Sequence, residues 1–299
     1  MEYAIAVLSL IGIQSFVALS AYLLLVAGQV SFGQQAFFGA GAYAAGIATA
    51  LWGWPLSGGI AFSALIGALA AALVGAPTLR MRGLYFSVAT LAFAELVRLL
   101  LLRFHYQIEM DGEMVGPAGA DGFRGIRYAL EHDISSLGYL GLIWLLLALV
   151  MAFFLLLERS RLGSVFRMIG EDEIAASAQG VNPAAFKILA ATAAGAIAGI
   201  GGALLAHYLT YVEPGHSGIM LGVHSLAYGL IGGLGTAWGP LLGVGVDIGL
   251  LESLRVFRGY RMIAFGGLVA VLLIFRPRGV LDEEFLYRLR RRLRGAPGA

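Results

Sequence analysis

The sequence predicts an all-α, polytopic membrane protein. It reads as a single transmembrane domain over residues 1–299, with about eight to ten spanning helices, some short or broken, and one short helix outside the bilayer. Three observations predict this. The 299 residues are 59% hydrophobic and only 13% charged, and the mean hydropathy is +0.84. Apolar runs of about 17–25 residues, long enough to cross a hydrocarbon core, recur along the chain. The 43 glycines suit a bundle in lipid, where small residues let helix backbones approach closely.

In order, the runs predict spans at 4–27, 34–51, 57–76, 84–103, 136–157, 187–208, 219–235, 238–254 and 261–276. No cleavable signal peptide is expected, because Glu2 follows Met1 and no basic segment precedes the first apolar run. The basic residues set the orientation. With the loop around Arg80 and Arg82, the segment 158–187 and the C-terminus inside, six basic residues fall outside: Arg103, Arg124, Arg127, Arg255, Arg258 and Arg261. Arg98 lies within a span, which leaves thirteen of the twenty inside and puts the N-terminus outside. The Arg255, Arg258, Arg261 cluster runs against the rule. The basic C-terminal tail, 277–299, with Arg288 to Arg294 as its dense part, reads either as a juxtamembrane helix near anionic lipid or as a solvated tail.

Two stretches depart from simple spans. Gly28 to Gly46 places Gln29, Ser31, Gln34 and Gln35 beside an apolar run, and Gly229 to Gly249 repeats glycine at four-residue intervals. Glycine at that density predicts broken or tightly crossed helices near a pathway. The outer loop 104–135 is glycine-rich and holds six acids, Glu109, Asp111, Glu113, Asp121, Glu131 and Asp133. It reads as a solvated connection or as a surface for a partner outside the membrane, with the plain connection slightly favoured.

The segment from Glu158 to Lys187 is the main polar interruption on the basic side. Gly170 to Val181 reads as one short helix with Glu171, Asp172 and Glu173 at its positive end, Gly180 as its stop, and Asn182-Pro183 starting the next span. Ile174, Ala178 and Val181 fall at i, i+4 and i+7, one weakly apolar face. Such a helix docks a partner in a groove, or is an ordinary loop with a helical turn.

Several chemistries lack their residues. There are no cysteines, hence no disulfide, thiol or cluster chemistry. The one lysine, Lys187, precedes Ile188, so no Walker A motif exists and any ATP must be bound elsewhere. His105, His132, His207, His216 and His224 show no ligand spacing, and no metal or nucleic acid is expected. Gly215-His216-Ser217-Gly218 matches the nucleophile signature of intramembrane serine hydrolases, but the only downstream histidine, His224, is in the same segment. Ionisable groups inside spans are functional candidates. Glu95 and Arg98 stand at i, i+3 and can pair, while Asp247 and Glu252 lie in the glycine-rich penultimate run. An ion-coupled carrier would use Glu95 or Asp247.

Five blocks then occur in a specific order: GQVSFGQQAFFGAGAY at 28–43, RMRGLYFSVATLAFAELVRLLL at 80–101, GADGFRGI at 119–126, GEDEIAASAQGVNPAAFKILA at 170–190 and GGLGTAWGPLLG at 232–243, with PRGVL at 277–281. In these the chain resembles the permease subunits of bacterial ABC importers for branched-chain amino acids, the LivM/LivH group, and within it the LivM type. The resemblance implies an inner-membrane transport subunit with no catalytic residue and no cofactor of its own. ATP and magnesium would bind two separate ATP-binding cassette subunits. A second related permease, in a heterodimer, and a periplasmic binding protein would complete the system, with membrane lipid around it. Glu173, Ala175, Ala176 and Gly180 look like a variant of the EAA coupling loop, with Ile174 inserted after the glutamate. The ATPase contact implied is Glu171, Asp172, Glu173, Ile174, Ala175, Ala176, Ala178 and Gly180. The candidate pathway residues are Gln34, Gln35, Phe37 and Glu95. Two features depart from the family: only one span precedes the GQ block, and GEMVGPAG lengthens the outer loop. Urea and short-chain amide importers use similar permeases, so the resemblance leaves the substrate open among these.

Overall fold

The computed structural model describes residues 2–78, 83–110, 112–252, 261–276 and 279–281. Arg80, Arg82, Arg255, Arg258 and the dense part of the basic tail lie outside the described residues.

Long apolar runs become long helices. These are α1 (Glu2–Val26), α3 (Leu56–Thr78), α4 (Leu84–Arg103), α6 (Ser136–Arg159) and α9 (Pro183–Leu209), each long and apolar enough to cross a membrane. The shorter runs become α2 (Gln34–Gly46), α10 (Ile219–Gly232), α11 (Trp238–Val244) and α12 (Arg261–Phe275). Both glycine-rich stretches are broken, as their composition predicts. Residues 27–33 are irregular before α2, and α2 ends in a π-helical turn, Ile47–Leu51. Gly233 (φ +91) stops α10, α11 restarts at Trp238, and it unwinds into a π-helical segment, Gly245–Glu252.

The centre is α1, α2 and α9, and it closes because α9 carries glycine where its neighbours cross. A Cβ at Gly41 of α2 would sit 2.5 Å from the Cα of Gly199, and one at Gly202 would sit 2.8 Å from the Ala42 nitrogen. Gly195 and Gly199 meet Gly67 and Ser63 of α3 in the same way. Backbone-to-backbone crossing of this kind drives helix association where lipid removes the hydrophobic incentive. Along α6 a single stripe, Tyr139, Ile143, Leu147, Met151 and Phe154, is buried, and the Tyr139 hydroxyl donates to the Leu204 carbonyl at 2.7 Å. The remaining faces of α3 and α6 show exposed leucines, which suits lipid.

The fold is mostly helical, as expected, with one small sheet that the sequence does not announce. The segment between α4 and α6, joined by residues after α9, forms a four-stranded antiparallel sheet in the order β1 (Ile108–Met110), β2 (Glu113–Pro117), β3 (Phe123–Arg124) and β4 (Tyr211–Val212). A short helix, α5 (Tyr128–Glu131), follows β3. The connection is therefore folded: its described acids are exposed to solvent, as the plain reading expects, while Phe123 and its neighbours pack on the bundle. Phe123 and Ile126 are fully buried with Val212, Tyr43, Ala42 and Ala206 over the ends of α2 and α9. The strands are short, and β3 pairs with a strand beyond α9, so no local periodicity announces them.

At the opposite end, two helices stand where one was expected over Gly170–Val181. Gly170 and Glu171 finish α7 (Arg161–Glu171), and α8 covers only Glu173–Ala178. The break is Asp172 (φ −151, ψ 102), whose carboxylate accepts from the Ile174 and Ala175 amides at 2.8 and 3.0 Å. A capping residue takes extended backbone and so ends the helix before it. Glu171 and Asp172 thus lie outside the first turn, where the sequence had placed them.

Candidate functional site

The α7–α8 hairpin projects from one end of the bundle, and its bonds explain why it holds its shape. Ser160 caps α7 by accepting from the Gly163 amide. At the other end of α7, a Cβ on Gly28 would lie 2.9 Å from the Cα of Gly170, so the hairpin rests on the α1–α2 connection. Gly180, at φ +84, closes α8: its amide donates to Ser177 and the Val181 amide donates back to Ala176 at 3.2 Å. This is a Schellman stop, for which glycine supplies the left-handed residue. The Asn182 side chain then accepts from Ala185 with Pro183 in the first turn of α9, as the sequence predicts.

One anchor was missed by sequence reasoning. Lys187 is 2% exposed, and its ammonium meets the Glu173 carboxylate at 2.9 Å. A buried cation needs a partner, and this one pins the first turn of α8 to the first turns of α9. Its signal was present, because a lone lysine inside an apolar run requires an anion nearby. Ala176 is fully buried beneath the same helix. The face left free is Ile174, 69% exposed, with Ala175 and Ala178 beside it. Glu171 and Gly180 are exposed at its flanks, and Val181 is half-buried.

Glu158, at the end of α6, was also missed. Its carboxylate accepts from the Tyr22 hydroxyl at 3.1 Å and the Ala237 amide at 2.6 Å, while Thr236 Oγ1 lies 3.4 Å away. Arg167 of α7 donates to the Gly235 carbonyl at 3.4 Å. The hairpin is thereby joined to the α10–α11 connection. The chain after α12 returns to this end too, with the Val280 and Leu281 amides donating to Ile231 and Gly232.

The candidate pathway residues are not brought together in one open cavity. Gln34 and Gln35 begin α2 and are fully buried, and none of their four amide atoms has a hydrogen-bond partner. Gln35 lies against Gly222 of α10, and one turn further Gly39 lies against Ser217. Phe37 is buried 6.4 Å from the ring of Phe93 on α4. Ser87 and Thr90 of α4 hold the irregular segment before α2, bonding the Val30 carbonyl and the Phe32 amide. Glu95 and Arg98 pair on the other side of α4, with Arg98 Nε donating to both carboxylate oxygens at 3.0 and 2.9 Å. At the sheet end, a cleft of about 650 Å³ is lined by residues including Thr49, Trp52, Glu113, Arg127, Tyr128 and Glu131.

The Ser217 hydroxyl has no base bonded to it among the described residues. Ser217 is 2% exposed and its hydroxyl is unpartnered, while His216 is engaged with the Glu213 backbone. His224 stacks on Tyr228 and packs on Phe265. His207 lies between Thr49 and the Ala203 carbonyl, and the Tyr228 hydroxyl donates to buried Asp247 at 2.7 Å. Among the described residues, no group of three or more His, Asp or Glu is placed to hold a metal ion.

Comparison with known proteins gives one answer. Residues 3–276 match the family model described as branched-chain amino acid transport system / permease component. The chain is 28% identical over 275 residues to the high-affinity branched-chain amino acid transport system permease protein LivM of Salmonella typhimurium. It is 29% identical over 277 residues to LivM of Escherichia coli. Each alignment covers 86% of this chain and 64% of the relative, so the chain spans somewhat under two thirds of those proteins. The permease protein BraD of Pseudomonas aeruginosa is 31% identical over 132 residues, 43% of this chain and 42% of its own. No solved structure matches. The match runs across nearly the whole chain: the chain belongs to the branched-chain amino acid transport system permease family.

Proposed function

We propose that this chain is the transmembrane subunit of an ATP-driven importer that carries leucine, isoleucine or valine across a bacterial inner membrane. The observation that carries the coupling part of this reading is the anchored α8. A short helix tied to the bundle by the Glu173–Lys187 pair presents an exposed apolar side chain, Ile174. Asp172 is occupied in capping and Glu173 in the ion pair, so the docking face is Ile174, Ala175 and Ala178, with Gly180 shaping its end. This face would enter a groove on an ATP-binding cassette subunit, which binds the ATP and magnesium. Closure of two such subunits would drive the switch between outward- and inward-facing states as rigid-body motion.

In this reading the α8 end and the C-terminus are cytoplasmic. The sheet end and N-terminus face the periplasm, where the cleft near Arg127 receives a substrate-loaded binding protein. A second related permease completes the route. Gln34, Gln35 and Phe37 contribute to it by an argument of energy. A buried polar group left unpaired costs about 1–3 kcal/mol, so the α2–α10 seam favours a state in which the Gln34 and Gln35 amides meet water or solute. The same carboxamides suit urea or a short-chain amide, which is the second reading.

The test is binding-protein-dependent uptake of radiolabelled leucine by the reconstituted complex, with valine, urea and acetamide as competitors. Competition by valine alone is the expected result. Competition by urea or acetamide selects the second reading, and uptake that proceeds without the ATPase subunits refutes both.

A further inference from the structure

The connection between α10 and α11 is gripped from the hairpin side by two charged side chains. Glu158, where α6 ends, uses one carboxylate oxygen to accept from the Ala237 amide at 2.6 Å and from the Tyr22 hydroxyl of α1 at 3.1 Å. Its other oxygen faces Thr236 Oγ1 at 3.4 Å. Arg167, midway along α7, donates to the Gly235 carbonyl at 3.4 Å. What they grip is a rigid body. A Cβ on Gly232 of α10 would overlap the Gly239 carbonyl of α11, and one on Gly243 would lie 2.7 Å from the Tyr228 Cα. The two helices therefore touch backbone to backbone, and backbones packed that closely move together. Near the gripped end, Gly229 rests on α1, where a Cβ would lie 2.9 Å from Leu25 Cδ1. Gly222 lies about 15 Å back along α10 from Gly232. There α10 covers the Gln35 carboxamide and the Phe32 carbonyl. One end of α10 is thus held by the hairpin, and the other closes the seam in which Gln34 and Gln35 are buried without partners.

We propose that Glu158 is a positioning residue for coupling: it holds the α10–α11 body to the hairpin, so that displacement of α7 and α8 passes along α10 to the α2–α10 seam. This rests on the transport reading above and assigns the element that carries the motion inward. The other polar tie of the hairpin, Glu173 to Lys187, leads to α9. That helix is locked to α2 and α3 by the glycine crossings at Gly41, Gly67, Gly195, Gly199 and Gly202, so it belongs to the fixed centre. The α10–α11 body meets α2 through the Gly222 contact, and its seam holds unpaired amides, so the seam gains hydrogen bonds by parting. A carboxylate suits the link, because hydrogen bonds to an ionised acceptor are about twice as strong as neutral ones. Ala237, whose amide it holds, is fully buried.

The test uses the assembled complex, with its ATPases either nucleotide-free or trapped with ADP and vanadate. The native chain has no cysteine, so spin labels go in pairs onto the exposed positions Leu162→Cys of α7, Trp238→Cys of α11 and Leu69→Cys of α3. With Glu158 in place, the distance from 162 to 238 is expected to stay constant between the two states while that from 69 to 238 changes. A change between 162 and 238, or none between 69 and 238, overturns the proposal. In Glu158→Leu the distance from 162 to 238 is expected to change on trapping. ATP hydrolysis and the KM for uptake should be retained, with maximal uptake lowered about tenfold or more. Glu158→Gln, whose carbonyl still accepts from Ala237 and Tyr22, should restore most of that uptake. Normal uptake in Glu158→Leu, or ATP hydrolysis and uptake lost in proportion as a merely structural role would give, overturns the proposal. If Glu158→Leu does not assemble, the distances measured with Glu158 in place decide alone. Uptake by the unmodified complex is measured in parallel. An assembled complex without uptake refutes the transport reading, whereas an active complex whose 162 to 238 distance changes on trapping refutes this proposal alone.

Discussion

Glu173→Gln isolates the Lys187 ammonium in a site only 2% exposed. Removing one partner of a buried pair costs about 3–5 kcal/mol, because the remaining charge stays desolvated. Glu173 itself is 28% exposed, so the lower end, about 3 kcal/mol, applies. The simplest relief is local: α8 lifts from α9 and lets Lys187 reach water. A 3 kcal/mol shift multiplies the open population roughly a hundredfold. Amide hydrogen exchange reads this at Ala176, Gly180 and Val181, whose amides bond Asp172, Ser177 and Ala176. Their exchange is expected to accelerate about a hundredfold, while amides in the middle of α9 are unchanged. ATP hydrolysis in the complex should then persist with uptake reduced. The double variant Glu173→Gln with Lys187→Met removes the stranded charge and should restore protection to within about 1 kcal/mol. Unchanged exchange in Glu173→Gln, or no recovery in the double variant, would refute the anchoring argument.

Ile174→Asp places a charge on the proposed docking face and should abolish ATPase co-purification while membrane insertion is unchanged. Gly180→Trp forces a bulky residue to φ +84, costing about 1–2 kcal/mol, and should uncouple ATP hydrolysis from uptake. Ser217→Ala should leave uptake intact, and the native protein should not label with a fluorophosphonate probe. Gly199→Leu drives a side chain into the Ser63 backbone of α3, so a loss of about 3 kcal/mol is expected, visible as a lower midpoint in thermal unfolding monitored by tryptophan fluorescence.

The spanning helices were legible because lipid imposes a length and a composition on each crossing. The predicted run 84–103 coincides with α4, and 34–51 coincides with α2 plus its π-helical turn. The breaks at Gly28–Gly46 and Gly229–Gly249 were legible from glycine density. The Asn182-Pro183 start and Gly180 stop were legible because capping is local chemistry. The split at Asp172 was harder, since an acid near a helix start serves equally as a first-turn residue or as the cap.

The sequence by itself determined that this is a membrane bundle, how its crossings are ordered, and, through five ordered blocks, its family. Those are properties of local composition and of motif order along the chain. Only the tertiary structure decided which polar groups meet. It paired Glu173 with Lys187, fourteen residues on. It brought Glu158 to Tyr22 and Ala237, and joined β3 to β4 across two spanning helices. It buried Gln34 and Gln35 without partners and left Glu95 and Arg98 on an outward face. The physical reason is common to all of these: helix packing sets the azimuth of each side chain, and a run that is apolar on every side does not disclose which face turns inward.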